Sequence, residues 1–485
     1  MNKELRRVSF VIMLMFVALF VSTSVIQVFA VDSLRSNEHN VRVLYQSYST
    51  ERGAITVNGV PIVTSEPVDD DYSFLRVYAN GPLYAPVTGF ISLNHGNSGI
   101  ERSLNEVLSG TSDSQFFDQM NALFTGQKPQ GAAVELTIDE VVQQAAWDAL
   151  GDNTGAIVAI EPSTGKIIAM VSKNSYDPNV LSAHEANSTI DGRYNELLND
   201  PTDPLINRAI AGDLYHPGSV FKIIMTAAAL EGGDYTPDSE FPNPGTLQLP
   251  GTNSFISNAE GGSCGGGETA SIATALRLSC NIPFAQLGAE MGEDRIRAMA
   301  EAFGFGQKIA VPMSATPSIY PQGMDVPQLM LSSFGQYDDK VTPLQMAMVS
   351  AAIANGGVLM QPTLVESVTA PDLRVIQSFE PAVLGAPVSQ EVAATMVQML
   401  VNGVSNGAAS NARISGVDVA GKTGTAENGE GEPYTLWFTG FAPADNPQVA
   451  IAVVVENGGG QGQNAFGNKI AAPMAKKVLE AVLSR

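Results

Sequence analysis

The sequence predicts an α+β protein. A domain built on one antiparallel sheet, with a helical insert between its core strands, comes after a small, mostly-β N-terminal domain and a single transmembrane helix. Three observations predict this. An uncharged run from Val8 to Val31 succeeds Lys3, Arg6 and Arg7. Strand-like segments stand at both ends of the C-terminal region, with helical patterns between them. The length of 485 residues suggests two or three domains.

Taken in order, residues 1–7 form a basic tail. A helix over residues 8–31 would be roughly 36 Å long, enough for a hydrocarbon core of about 30 Å. The basic flank stays in the cytoplasm, so the chain beyond Asp32 lies outside. The run is long for a signal peptide and reads as an uncleaved anchor. Val28 and Ala30 resemble a cleavage site, so a cleaved signal peptide is the alternative. Residues 32–131 read as short strands and turns, with Arg52 to Gly59 as a strand running into an Asn-Gly turn. Gly126 to Gly131, with Pro129 inside, marks the boundary.

The second region, 132–485, opens with Thr137 as N-cap and a helix from Asp139 to Leu150. Ala156–Ile160 and Lys166–Val171 flank Pro162-Ser163-Thr164-Gly165 as a β-hairpin. A polar loop spans Asn174 to Asp203, and helices come next. Three strands, Val417–Ala426, Tyr434–Phe441 and Val449–Val455, and an amphipathic helix from Pro473 to Leu483 close the chain.

Composition excludes several classes. With 26 basic and 49 acidic residues the net charge is −23, which argues against nucleic acid as a partner because phosphate contacts need a basic surface. A hydrophobic fraction of 44% argues against disorder of the whole chain. Two cysteines exclude a disulfide scaffold or a Cys-rich metal site. His39, His95, His184 and His216 show no metal-ligand spacing, so no metal is expected, and a place outside the cytoplasm argues against cytosolic cofactors.

Three constellations carry chemistry. In His216-Pro217-Gly218-Ser219-Val220-Phe221-Lys222, Ser219 and Lys222 are three apart at a helix start and can touch. Serine needs a base, and no histidine sits in a partner motif. Lys222 serves if burial or a second cation brings its pKa down from about 10.4. In Ser279-Cys280-Asn281, a hydroxyl and an amide two residues apart can relay a proton and hold a substrate amide. In Lys422-Thr423-Gly424-Thr425, a cation and two hydroxyls on a strand can bind a carboxylate, and Gly424 lets a substrate approach the backbone. Thr423 and Thr425 share one strand face and Lys422 takes the other. They converge only if substrate lies along an edge strand with Lys422 reaching underneath. Gly416 to Thr423 also matches the phosphate-loop pattern G-x-x-x-x-G-K-T. The context rejects it, because Val417 and Val419 look like the strand itself and Gly424, Asn428, Gly429 and Gly431 would not sustain the helix that must come after it.

S-x-x-K, S-x-N and K-T-G in that order resemble the motifs of class B penicillin-binding proteins. Arg52-Gly53, Gly99-Ile100-Glu101, Glu161 to Gly165, Gly335-Gln336, Thr342 to Gln345 and Trp437 to Phe441 extend the resemblance over nearly the whole chain. It implies an α/β/α sandwich of the serine β-lactamase and penicillin-binding transpeptidase type, a pedestal or dimerisation-like domain over 32–131, and a D,D-transpeptidase at the cell membrane, facing outward. The implied substrates are peptidoglycan stem peptides ending in D-Ala-D-Ala, and β-lactam antibiotics would acylate the enzyme. By the same resemblance Ser219 is the nucleophile, Lys222 its base, Ser279 a proton relay and Asn281 a substrate holder. Lys422 lowers the pKa of Lys222, and Thr423 and Thr425 bind the terminal carboxylate. The N–H groups of Ser219 and Thr425 would form the oxyanion hole.

The N-terminal region is short for the class, and nothing resembling a glycosyltransferase precedes the second region. Polymerisation would therefore come from a separate SEDS-family or other glycosyltransferase. The motifs alone leave a D,D-carboxypeptidase, a serine β-lactamase or a penicillin sensor as alternatives. The N-terminal domain and anchor favour the transpeptidase, and the short tail argues against a sensor. Between division and elongation, the resemblance leans toward division. Cys264 lies in a glycine-rich loop and Cys280 inside S-x-N. Outside the cytoplasm a bridge between them is expected, contributing roughly 3 kcal/mol, with two free thiols as the alternative.

Overall fold

A computed structural model of the protein describes residues 2–30, 34, 50–115, 120, 124–126, 130–212, 214–259 and 261–485. The expected anchor end at Val31, the domain start at Asp32, His39 and linker residues 127–129 lie outside the described residues. The first helix, α1 (Asn2–Ser24), continues as a π-helical turn, Val25–Phe29. It starts before Val8 and carries the basic residues in its first turns. Its apolar side chains are exposed, Phe16 by 68% and Phe20 by 74%. The stretch Lys3–Phe29 is long and apolar enough to cross a membrane.

The N-terminal domain has β1 (Ile55–Val57), β2 (Val60–Pro67) and β3 (Phe74–Tyr78), then α2 (Gly81–Thr88) and α3 (Gly99–Ser103). It is thus less β-rich than expected. α2 is short and buries Leu83, Tyr84, Ala85 and Val87, so no amphipathic period betrays it. Asn58 and Gly59 both have positive φ, as a tight Asn-Gly turn between β1 and β2 requires.

The domain does not end at residue 131. Strand β4 (Ala133–Leu136) pairs in parallel with β1, and two later strands of the C-terminal region complete a six-stranded sheet shared by both domains. Inside it, Glu101 is fully buried between Arg52 and Arg76, at 2.5 and 2.6 Å. Burial alone would raise the Glu101 pKa. The two guanidinium groups outweigh it and hold the carboxyl below the usual range.

Helix α4 (Glu140–Leu150) is capped by Asp139, whose side chain accepts from Val142 N at 3.1 Å. Thr137, the expected cap, instead donates to Ile167 O at 2.8 Å because it still lies on the sheet side of the turn. Strands β5 (Gly155–Ile160) and β6 (Ile167–Lys173) form the expected hairpin. The polar loop after them contains helices Asn179–Ser182 and Asn187–Leu198. The second buries only Ile190, which leaves too little apolar pattern to read.

Helix α5 (Lys222–Glu231) is buried over almost its whole surface. Two small hairpins pair Glu240–Pro242 with Thr269–Ser271 and Thr246–Gln248 with Phe255–Ser257. Then come α6 (Ile272–Leu278), α7 (Ile282–Met291) and the apolar α8 (Pro343–Ala354). β7 (Val365–Thr369) and β8 (Val375–Ser378) are the strands that join the first sheet. After α9 (Gln390–Asn406) the chain ends with β9 (Ala420–Ala426), β10 (Thr435–Ala442), β11 (Val449–Val455) and α10 (Ala471–Leu483).

The main sheet has the order β9-β10-β11-β5-β6, antiparallel throughout. α8 covers one face, while α4 and α10 cover the other. Alternate residues of β11 therefore enter different cores. Ala450, Ala452 and Val454 pack with α8, and Val449, Ile451, Val453 and Val455 pack with α10. Burial on both faces explains the unbroken apolar run. β9 is left at the edge, and α5 begins beside it.

Candidate active site

Ser219 sits on a 3-10 turn, Gly218–Phe221, that leads into α5. Three contacts fix this turn. Gly218 has φ +53°, and its N–H donates to Gly335 O at 2.9 Å. Gly335 has φ +79°, and a Cβ there would lie 2.0 Å from Gly218 O. From the sheet, Trp437 Nε1 donates to His216 O at 2.9 Å. A Cβ on Gly424 would come within 2.9 Å of Pro217 O and 3.0 Å of Trp437 Cβ. Gly424 is therefore bare on that side because the Ser219 turn packs on it.

Lys222 is wholly buried, and its Nζ lies 3.0 Å from Ser219 Oγ. The same nitrogen donates to Ser279 O and to Asn281 Oδ1, both at 2.8 Å. Burial first, and the charge of Lys422 second, push its pKa well below the ordinary lysine range. A neutral amine has two hydrogens and one lone pair. The two hydrogens go to the two acceptors, and the lone pair faces the Ser219 hydroxyl. That is the orientation a general base needs.

Lys422 is 2% exposed, and its Nζ donates to Ser279 Oγ at 2.7 Å and Thr423 O at 2.8 Å. Burial brings its pKa down to about 7. Ser279 stands between the two lysines because it ends α6 in the left-handed region, at φ +65°. That conformation costs a non-glycine residue about 1–2 kcal/mol. It turns the carbonyl toward Lys222 and the hydroxyl toward Lys422.

The structure thus brings Ser219, Lys222, Ser279, Asn281 and Lys422 together. Thr425 is partly exposed on the edge strand, and its Oγ1 accepts from Gly467 N at 3.2 Å, while its own hydrogen meets no acceptor among the described residues. Thr423 is placed differently. It is 6% exposed, and its hydroxyl donates to Ala408 O at 3.0 Å. Its one hydrogen is spent on the chain beneath β9, so it is not offered to a carboxylate. His216 Nδ1 lies 3.0 Å from Asp339 O, and burial followed by Lys340 lowers its pKa, so it scaffolds the turn. Cys264 and Cys280 form a disulfide with Cα atoms 5.8 Å apart.

Sequence reasoning assigned no role to Gly335, Trp437 or Asn258. The first two lay in segments that carried the family resemblance. Asn258, whose Oδ1 accepts from Asn281 N at 2.9 Å, is a lone asparagine in a loop and leaves no signal.

Comparison with known proteins supplies the context. The penicillin-binding protein transpeptidase domain matches residues 155–480, and the penicillin-binding protein A dimerisation domain matches residues 52–134. The chain is 43% identical over 492 residues to the peptidoglycan D,D-transpeptidase PbpA of Mycolicibacterium smegmatis, covering 100% of this chain and 99% of that protein. It is 41% identical over 493 residues to PbpA of Mycobacterium tuberculosis, with the same coverage. The penicillin G acyl-enzyme complex of M. tuberculosis penicillin-binding protein A is similar in structure, with a TM-score of 0.85 and 40% identity over 90% of this chain and 100% of that one. The D,D-transpeptidase domain of a peptidoglycan glycosyltransferase from Eggerthella lenta gives a TM-score of 0.77 at 34% identity, over 90% of this chain and 99% of that one.

Proposed function

Since the chain belongs to the penicillin-binding protein transpeptidase family, we propose a division of labour among the residues that meet at Ser219. The protein is a serine-type peptidoglycan D,D-transpeptidase that β-lactams inhibit covalently. Ser219 Oγ attacks the carbonyl of the penultimate D-alanine while neutral Lys222 takes its proton. The N–H groups of Ser219 and Thr425 receive the developing oxyanion. Ser279, held by Lys422, carries the proton to the leaving nitrogen. Terminal D-alanine departs and an acyl-serine remains. An amine from a neighbouring stem peptide then attacks the ester, and Ser219 regains its proton.

Asn281 holds the substrate peptide with whatever capacity its amide retains beside Lys222. Thr425, whose hydroxyl hydrogen has no acceptor among the described residues, binds the terminal carboxylate. Thr423 supports the strand from below. The apolar helix anchors the protein in the cytoplasmic membrane with its catalytic domain outside. A separate glycosyltransferase makes the glycan strands, and residues 32–131 hold the catalytic domain away from the bilayer.

The observation that carries this reading is the Lys222 amine, 3.0 Å from Ser219 with its other bonding directions filled. The test is labelling of the full-length protein in detergent with a fluorescent penicillin, then a chase with unlabelled drug. Label that persists for many minutes on the parent and is absent from Ser219→Ala is expected. Rapid loss of label with drug turnover would overturn the reading in favour of a hydrolase. No label on folded protein would refute the acyl-serine itself.

A further inference from the structure

Asn281 occupies the N-cap position of α7, yet its side chain makes no cap hydrogen bond. Its Oδ1 is spent on Lys222, and its Nδ2 donates to Ser257 O at 3.0 Å. The first N–H groups of a helix need acceptors when buried. Here Asn258 Oδ1 supplies one, accepting from Asn281 N at 2.9 Å and Ile282 N at 3.2 Å. Asn258 is 4% exposed, and its Nδ2 donates to Gly262 O at 3.1 Å. Beside it, Asn243 is 1% exposed. Asn243 Nδ2 donates to Cys264 O at 2.7 Å and to Gly267 O at 3.1 Å, while its Oδ1 accepts from Cys264 N at 3.1 Å. The disulfide joins Cys264 to Cys280, the residue between Ser279 and Asn281.

Resting on the acyl-serine reading of Ser219, we infer that Asn258 is a positioning residue for the reaction: its Oδ1 holds the Asn281 and Ile282 N–H groups at the start of α7 and so fixes the backbone from which the Asn281 amide orients the Lys222 amine toward Ser219. Asn243 and the disulfide hold the loop that carries Asn258. Without that acceptor, the N–H groups of Asn281 and Ile282 lose their partner and the start of α7 shifts or draws in water. Lys222 then loses one of the two acceptors that aim its lone pair. Small misplacements of this kind cost up to about a hundredfold in rate.

The test compares full-length Asn258→Leu, which removes the acceptor, with Asn258→Asp, which keeps an acceptor oxygen for both N–H groups. Thr252→Ala loosens the neighbouring hairpin without touching Asn258 and serves as the structural control. Acylation by a fluorescent penicillin is resolved into drug affinity and limiting rate, with a melting curve for each variant. The leucine variant should lose about a hundredfold in limiting rate at nearly unchanged affinity. The aspartate variant should stay within about threefold of the parent even where it melts earlier. If the leucine variant does not fold, Asn258→Ser, whose hydroxyl stops short of the two N–H groups, takes its place. A parental limiting rate in the leucine or serine variant would overturn the inference. So would an equal loss in the aspartate variant. An unlabelled parent would instead sink the acyl-serine reading.

Discussion

Replacing Lys422 by methionine should move the acid limb of the acylation profile to higher pH. Lys222 accepts a proton only when neutral, so acylation falls as pH drops through its pKa. Burial depresses that pKa first, and the Lys422 charge adds to the effect. Both nitrogens contact Ser279, Lys222 at its carbonyl at 2.8 Å and Lys422 at its hydroxyl at 2.7 Å. That geometry puts them roughly 5–7 Å apart, where at an effective dielectric constant of about 20 a unit charge is worth about 2–3 kcal/mol, or about two pH units. Lys422 itself titrates at about 7, so its charge acts in full below that pH and fades above it. Lys422→Met keeps the site dry, so the burial contribution stays. The limb should therefore move up, by at most about two pH units. The plateau should also fall, because Ser279 loses its partner. The assay is the rate of labelling by a fluorescent penicillin from about pH 5 to pH 9. A limb that stays put, or moves toward acid, would refute the electrostatic role assigned to Lys422.

The same Lys422→Met variant should melt higher than the parent at neutral pH. A lysine that titrates at about 7 when folded and at about 10.4 when unfolded opposes folding fully below its folded pKa. The gain should be constant below about pH 7 and fade toward about pH 10, which calorimetry across pH will check. Gly335→Ala should cost about 2–4 kcal/mol and most of the acylation rate, since the new Cβ must displace Gly218 at positive φ. Denaturant titration with labelling will measure both. Glu101→Gln strands Arg52 and Arg76 in a dry interior, where Arg76 Nη2 already lacks a partner. It should cost about 3–5 kcal/mol in urea unfolding.

The legible parts of the molecule were those where local spacing decides geometry. Ser219 and Lys222 meet because three residues along a tight helical turn bring side chains together. The hairpin of β5 and β6 was readable from two apolar runs flanking a Pro-Ser-Thr-Gly turn. Pairing between distant segments left no such trace. β1 joins β4 in parallel across the whole N-terminal domain, and β7 and β8 come from more than two hundred residues further along. The boundary at 131 therefore marks a change in composition but cuts through one sheet. Burial on all sides hid α2, and a nearly all-polar surface hid Asn187–Leu198. Both lack the one-sided apolar stripe by which a helix is recognised.

The three motifs pick out side chains that meet in the structure but could not say which polar atoms were already spent. Thr423 and Thr425 look alike on the strand, yet one hydroxyl is bonded to Ala408 O and the other keeps its hydrogen. Asn281 looks like the cap of its own helix, yet its side chain is spent on Lys222 and Ser257, and Asn258 takes the first two N–H groups there. The same accounting explains the two buried lysines. Each nitrogen has two acceptors, one of them on Ser279, so the neutral amine that burial favours has both its N–H groups paired. A left-handed serine and two lysines out of water all work against folding. Their persistence beside one serine is what a site that trades stability for a poised nucleophile requires.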